Sequence, residues 1–464
     1  MPWDRPATAA AAALFLFVFF AHGVSPSATS SDTHWVVPQM LSILRAGDTN
    51  LDEYPELLRQ HRYGGVDCVA PARGLVARDT EKGCPGAHYY VYYPLGTTLV
   101  SLPVFLAMDA SLRVAGPPVS TLLGPRITPV IGAFFRRDYM GSYALVEMVI
   151  ASFIVALATV FVFATAREFL PLRRAVLLAL LFAFGTAAWS TASRALWQHG
   201  PYMLALAVAL YLFVRAERNP ALIPWTGVPV MFAYFIRPTG MVLVGAMAAY
   251  VFFHHRGRFV KWALAAAAVA APFLVYYASI YGIPLPPYYT HHNVLAPVAG
   301  NAGRFLSAFA GQGFSPSRGM FVFSPFLLFS VAGIVLAWRR RWQTPLAWYL
   351  AAVLLLHWVL ISAFADWTAG FCFGPRYFSD VLPIFLFFLI PVAAAYRPGA
   401  TPPALVAGFA VCALFSVFVH FRGAADWDVQ RWNGTDVNPA RAWDWSDPQF
   451  LHGLGKRPLS RPGP

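Results

Sequence analysis

The feature that most constrains this chain is a succession of apolar runs, each long enough to cross a lipid bilayer. They lie at 7–24, 142–166, 174–192, 200–215, 223–236, 238–254, 259–281, 318–337, 344–364, 377–395 and 402–421, with a further run at 95–115. A bilayer core about 30 Å thick takes about 20 residues of helix, and within it each backbone N–H and C=O must be satisfied by the segment itself. The runs therefore predict an all-α polytopic membrane protein with about 11–13 transmembrane helices. Composition agrees: 58% of the 464 residues are hydrophobic and 12% are charged, with mean hydropathy +0.55, whereas soluble domains carry about 25% charged residues. No small-x-small cleavage site follows "ATAAAAALFLFVFFAHGV", so the first run is expected to be a retained span.

The formal net charge is +13 and the isoelectric point is about 9.8. Nucleic acid is not the reason, because the basic residues sit in short loops between apolar runs. "REFLPLRR" (167–174), "RAERNP", "HHRGRFVK", "WRRRW" and "YRPG" alternate with loops poor in Arg and Lys, which is the positive-inside pattern. The basic set should be cytoplasmic. Residues 25–93, the "SRALWQHGP" turn, 282–317, 365–376 and a tail at 422–464 then face outward, with 1–421 forming the membrane domain. An inner N-terminus and an outer tail require an odd number of crossings, 11 or 13. The region 95–138 decides, because 117–138 is broken by Pro and Gly and is either re-entrant or a kinked span. Lysine occurs only at Lys82, Lys261 and Lys456. With the heavy use of Ala and Pro, this suggests a bacterial chain from a GC-rich genome, placed in the inner membrane.

In the first outer loop, "WVVPQMLSILRAG" repeats apolar residues at helical spacing around Val37, Leu41 and Leu44, which predicts a helix on the membrane surface. Cys68 and Cys84 fall in the same loop and are either a disulfide or two free thiols. Neither a CxxC nor a Cys/His ligand spacing is present, which argues against structural zinc. The two halves show no internal repeat, which disfavours an inverted-repeat transporter.

Polar residues with chemical potential collect in the outward loops. Asp32, in "SDTHW", is either a helix cap or a catalytic carboxylate. Asp52 and Glu53 lie further along. "SRALWQHGPY" crowds Arg194, Trp197, Gln198 and His199 at the outer end of a span, where each polar group needs a partner once shielded from water. "YFIRPTG" places Arg237 between two runs, as a snorkelling residue or an anion contact. "GFSPSRGMF" puts Arg318 at a helix start, a ready anion site. "ADWTAGFCFGPRYFSDVLP" holds Asp366, Arg376 and Asp380, the last two at i,i+4 spacing that allows a simple pair. Several arginines and a carboxylate at one interface suit a lipid phosphate and general-base work on a hydroxyl.

The order of "SDTHW" after the first span, "YYPLG", "SRALWQHGP", "FIRPTG", "SPSRG" and "GPRYFSDVLP" resembles the GT-C superfamily of membrane glycosyltransferases over about residues 7–421. Within it, the chain is similar to bacterial proteins of the protein-mannosyltransferase-like and aminoarabinose-transferase-like kind, and the tail resembles that of uncharacterised bacterial members. The resemblance implies a GT-C-like bundle with surface helices in the first outer loop. It implies a polyprenyl-phosphate-linked sugar donor, an inverting transfer on the outer face, and a glycan, lipid or protein acceptor. It also implies an acidic general base in the first outer loop, Asp32 by position, with Asp52 and Glu53 as alternatives because the acidic pair follows later here. Arg78 and Lys82, before the next span, are implied donor-phosphate contacts. Some members use a divalent cation and others none. From another class stands a transporter or flippase for a lipid-linked saccharide, and a structural scaffold is a third reading.

Overall fold

A computed structural model describes residues 4–29, 32–70, 73–78, 83–123, 128–285, 287–290, 301–434 and 439–454. Helix α1 (Arg5–Gly23) is capped by Asp4, whose carboxylate accepts the Ala7 amide, and Pro6 occupies the first turn, where a missing N–H costs nothing. The outer segment that follows holds α2 (Val36–Arg45), α3 (Pro55–Gln60) and a three-stranded antiparallel sheet. The strands are β1 (Val66–Ala70), β2 (Gly74–Arg78) and β3 (His88–Val91), in the order β2-β1-β3. The sheet was not expected. Its signals are brief: the β-prone "HYYV", and Gly74 at φ +77° closing the β1–β2 hairpin. Cys68 and Cys84 are disulfide-bonded, which settles the choice between a bridge and free thiols.

Helix α2 forms where the spacing put it, but it does not lie open on a surface. Val36 through Ser42 are all buried. Val36, Val37, Met40 and Leu41 pack with Phe105, Val146 and Ile150, and its polar side is used as well: Thr98 donates to Gln39 (2.6 Å) and Ser42 to Glu53 (3.4 Å).

The 95–138 region is α4 (Gly96–Leu123) folded back into α5 (Pro129–Phe135). Asp109, midway along α4, accepts from Arg113 and Arg137, at 2.8 Å each, and from Tyr139. The return limb therefore meets α4 at its middle. Seven residues of helix rise about 10 Å, a third of a bilayer core. The return limb is thus too short to be a second span, whereas Gly96–Val119 within α4 is itself long and apolar enough to cross.

The bundle follows. It comprises α6 (Tyr143–Arg167), α7 (Leu172–Phe184) extended by a π-turn at Ala188–Ala192, α8 (His199–Ala216), α9 (Ile223–Ile236), α10 (Met241–His254) and α11 (Arg256–Tyr281). After α12 (Pro287–Thr290) and α13 (Ala302–Phe314) come α14 (Met320–Phe323), α15 (Leu328–Arg339), α16 (Leu346–Ser362), α17 (Leu382–Ala395) and α18 (Pro403–Ala425); the tail adds α19 (Trp427–Arg431) and α20 (Pro439–Ala442). Among the described residues, seven helices are long and apolar enough to cross a membrane, and shorter apolar helices such as α9, α10 and α16 pack among them. Helix α17 is buried on every side from Leu382 to Pro391, as a helix apolar all round must be.

Contacts sort the loops into two ends. At one, Arg167 faces Asp4 (3.5 Å), Arg218 pairs with Glu168 (2.7 Å), Tyr250 donates to Glu217 (2.7 Å), Phe169 packs on Trp342, and Arg174 donates to the Ala393 carbonyl and stacks on Tyr396. All the basic loops named from sequence gather here. Setting α4 and α5 aside, eleven helical passages run between the two ends among the described residues.

Candidate active site

At the opposite end, polar residues from several chain segments come together in three groups. The first is the turn before α2. Asp32 does not cap that helix: the capping position falls on Trp35, with no side-chain bond. Its carboxylate is left about half exposed and lies 3.9 Å from Arg376 Nη2. The turn is anchored one residue on, where Thr33 Oγ1 donates to Glu147 Oε2 at 2.6 Å.

The second segment is the loop that delivers Arg376. Gly374 adopts φ +62°, and a Cβ there would lie 2.6 Å from the Phe323 ring, so glycine is required on both counts. Pro375 follows, and the chain turns into a 3-10 helix over Arg376–Val381. The Arg376 guanidinium stacks over Trp197, 4.2 Å from the ring centroid, and its buried Nε has no hydrogen-bond partner among the described residues. Trp197 is itself fixed by donating to Thr29 Oγ1 at 3.1 Å. Next to it, Gln198 accepts from Tyr288 (3.4 Å), while its buried Nε2 is also without a partner among the described residues. Tyr93 faces Asp32. Burial, and then the carboxylate's charge, hold its hydroxyl well above the ordinary tyrosine range, so it acts as a proton donor and not as an anion.

The third group lies beneath. The i,i+4 pairing of Arg376 with Asp380 does not form, because a 3-10 helix turns every three residues and rotates Asp380 away. Asp380 is fully buried and meets His199 Nδ1 (2.7 Å), Arg237 Nε (3.1 Å) and Thr239 Oγ1 (3.2 Å). Arg237 Nη1 also lies 2.9 Å from His199 Nε2. The Asp380 carboxylate beside Nδ1 favours the tautomer protonated there, and Arg237 Nη1 lies within 3.0 Å of both ring nitrogens. Arg237 is thus neither snorkelling nor free: it is bound to a carboxylate, with its guanidinium 5.4 Å from the Tyr377 ring.

Several candidates fall outside this group. Arg318 is buried, and its donors go to Thr368 O (2.5 Å), Ser317 O (2.8 Å), Gln449 Oε1 (2.8 Å), Gly370 O (3.1 Å) and Asn433 Oδ1 (2.9 Å). A guanidinium so saturated has no donor for a phosphate, so it is a staple holding the 365–376 loop to the tail. Arg194 is alike: it donates to the carbonyls of His22, Ser25, Ser27 and Trp189, tying the end of α1 to the π-turn. Asp366 closes its own turn, accepting from the Thr368 amide and hydroxyl. Asp52 pairs with His88 (2.6 Å) and accepts the Tyr89 amide (3.0 Å) at the sheet, and Glu53 meets Ser42. Arg78 ends β2, opposite Asp67 on β1, and Lys82 lies outside the described residues.

Among the described residues no three His, Cys, Asp or Glu side chains converge as metal ligands. Asp32 is flanked by Arg376 and Tyr93, which do not form a divalent-cation set, and no step below uses a metal. Tyr93, Tyr288, Glu147 and Thr239 were missed as site residues. Glu147 carried the one usable signal, a carboxylate inside an apolar run. Tyr93 and Tyr288 looked like ordinary interface aromatics. No family model matches the chain, and neither a curated protein nor a solved structure matches it.

Proposed function

We propose that this chain is a membrane glycosyltransferase that moves a sugar from a polyprenyl-phosphate-linked donor to an acceptor hydroxyl, with inversion, at the outer face of a bacterial plasma membrane. The observation that carries the reading is the Asp32–Arg376 pair at the end of the bundle opposite the basic loops. At 3.9 Å the pair is in Coulomb contact but is not locked by a hydrogen bond. A donor phosphate that takes over the stacked guanidinium frees the carboxylate beside it.

The chemistry then balances. The acceptor oxygen attacks the anomeric carbon while Asp32 removes its proton. The bond from that carbon to the phosphate oxygen breaks, and the polyprenyl phosphate departs with the electron pair. Arg376 meets the charge that develops on the leaving oxygen, where fixed donors have their largest effect. Unpartnered donors on Arg376 and Gln198 support this use. Asp380 and Arg237 hold His199 from beneath without contact with Asp32. The GT-C resemblance supports the same assignment, and the positive-inside pattern supports the outward direction.

Asp32→Asn in membranes supplied with a labelled polyprenyl-phosphate sugar is expected to lower transfer by about 10²–10⁴-fold, the usual loss of a general base, with thermal stability unchanged. Undiminished transfer would remove Asp32 as the base. Movement of the lipid-linked sugar across the membrane by the wild type, with no covalent product, would replace the reading with a transporter.

A further inference from the structure

We infer that Glu147 is a positioning residue that sets the separation of Asp32 and Arg376. Part of this, the effect on turnover, rests on the glycosyltransferase reading. Glu147 is wholly buried near the start of α6. One oxygen, Oε2, accepts two bonds from segments far apart in sequence: Thr33 Oγ1 at 2.6 Å and the Leu196 amide at 3.2 Å. Thr33 directly follows Asp32, and Leu196 directly precedes Trp197, the ring on which Arg376 rests. A single carboxylate therefore ties the backbone carrying the acid to the backbone carrying the arginine's shelf. Helix α6 packs against both α1 and α8, so the tie is made to a rigid element. A buried carboxylate is costly to keep in a span, and purely structural bridging of two loops would be served by a neutral amide or hydroxyl. Charge-assisted bonds are shorter and about twice as strong as neutral ones, which suits a joint that must hold a reacting group to within a fraction of an ångström.

The test uses the full chain in detergent or membranes. Glu147→Ala removes both bonds of the tie, Thr33→Val removes the one to the Asp32 turn, and Thr33→Ser restores it. Turnover is expected to fall on the order of 10²-fold for either variant, the usual consequence of misplacing a reacting group by about 1 Å. The KM for the lipid-phosphate sugar should change little, the double variant should be no worse than the poorer single one, and Thr33→Ser should regain most of the rate. A merely structural residue would instead lower yield and melting temperature without this split. A second readout needs no activity: hydrogen exchange of 27–36 and 194–199 should rise in Glu147→Ala, with the rest of the chain unchanged. Unchanged exchange in those two segments overturns the positioning role whatever the activity. If the wild type transfers no sugar from any lipid phosphate while the exchange result holds, the glycosyltransferase reading fails and the tie stands.

Discussion

Three arginines at one end of the molecule have three different fates, decided by how many of their donors are already taken. Arg318 and Arg194 spend theirs on carbonyls and amide side chains, whereas Arg376 lies on Trp197 with its Nε unpartnered among the described residues. Replacement by Met should therefore act in opposite ways. Arg318→Met leaves several buried acceptors without donors, each at about 1–3 kcal/mol. It is expected to lower the melting temperature and folded yield sharply, while the rate per folded molecule stays near that of the wild type. Arg376→Met is expected to keep the melting temperature within a few degrees and to lose about 10²–10³-fold in transfer, the scale seen when one charge-stabilising donor is removed. Thermal melts and transfer rates on the same preparations separate the two. Sequence placed all three arginines at one interface because an arginine at the end of an apolar run is conspicuous. Which carbonyls lie within reach depends on residues 50 to 170 positions away, such as Thr368 and Ser25, and no local pattern encodes them.

At the level of elements, the outer turn and the 3-10 helix show where local rules gave way. Asp32 has the composition of a helix cap, yet α2 starts four residues later and leaves it half exposed. Arg376 and Asp380 have helical-pair spacing, yet the tighter helix separates them. The long elements were legible because membrane insertion writes their length and apolarity into the sequence. The sheet, with strands of four and five residues and a disulfide across it, left little trace. In the turn before α2, the His34 ring stacks on that of His61 at 3.7 Å. Burial, and then His61, hold His34 down at about 3, and burial also lowers His61. An unfolded chain takes up these protons near pH 6.5. The fold disfavours the charged rings, so the stability they support is complete above about pH 6.5 and is lost as pH falls toward 3. The melting temperature is expected to drop between pH 7.5 and pH 5, and His34→Phe, which keeps a stacked ring, should flatten that drop.

For the whole molecule, Asp4 lies among the basic loops and the described part of the tail lies beside the candidate site. A tag ahead of Asp4 should resist protease added outside intact cells, and a tag after residue 464 should be removed. After denaturation without reductant, a thiol reagent is expected to label two cysteines, Cys372 and Cys412, and all four once reductant is added, as the Cys68–Cys84 bridge requires. The arrangement at Arg318 also bears on how the tail is joined to the bundle. Two of its acceptors, Asn433 and Gln449, belong to the segment after α18, and Gln449 also accepts the Gly374 amide just ahead of Arg376. Without that segment a buried guanidinium lacks part of its coordination, and the loop beside the proposed site lacks an anchor. A chain cut after α18 would keep the membrane helices described above and still present an open, charged seam at its outer end. The segment after α18 is thus a clasp: it closes a charged seam at the outer end of the bundle and holds the loop beside the proposed site against the helices.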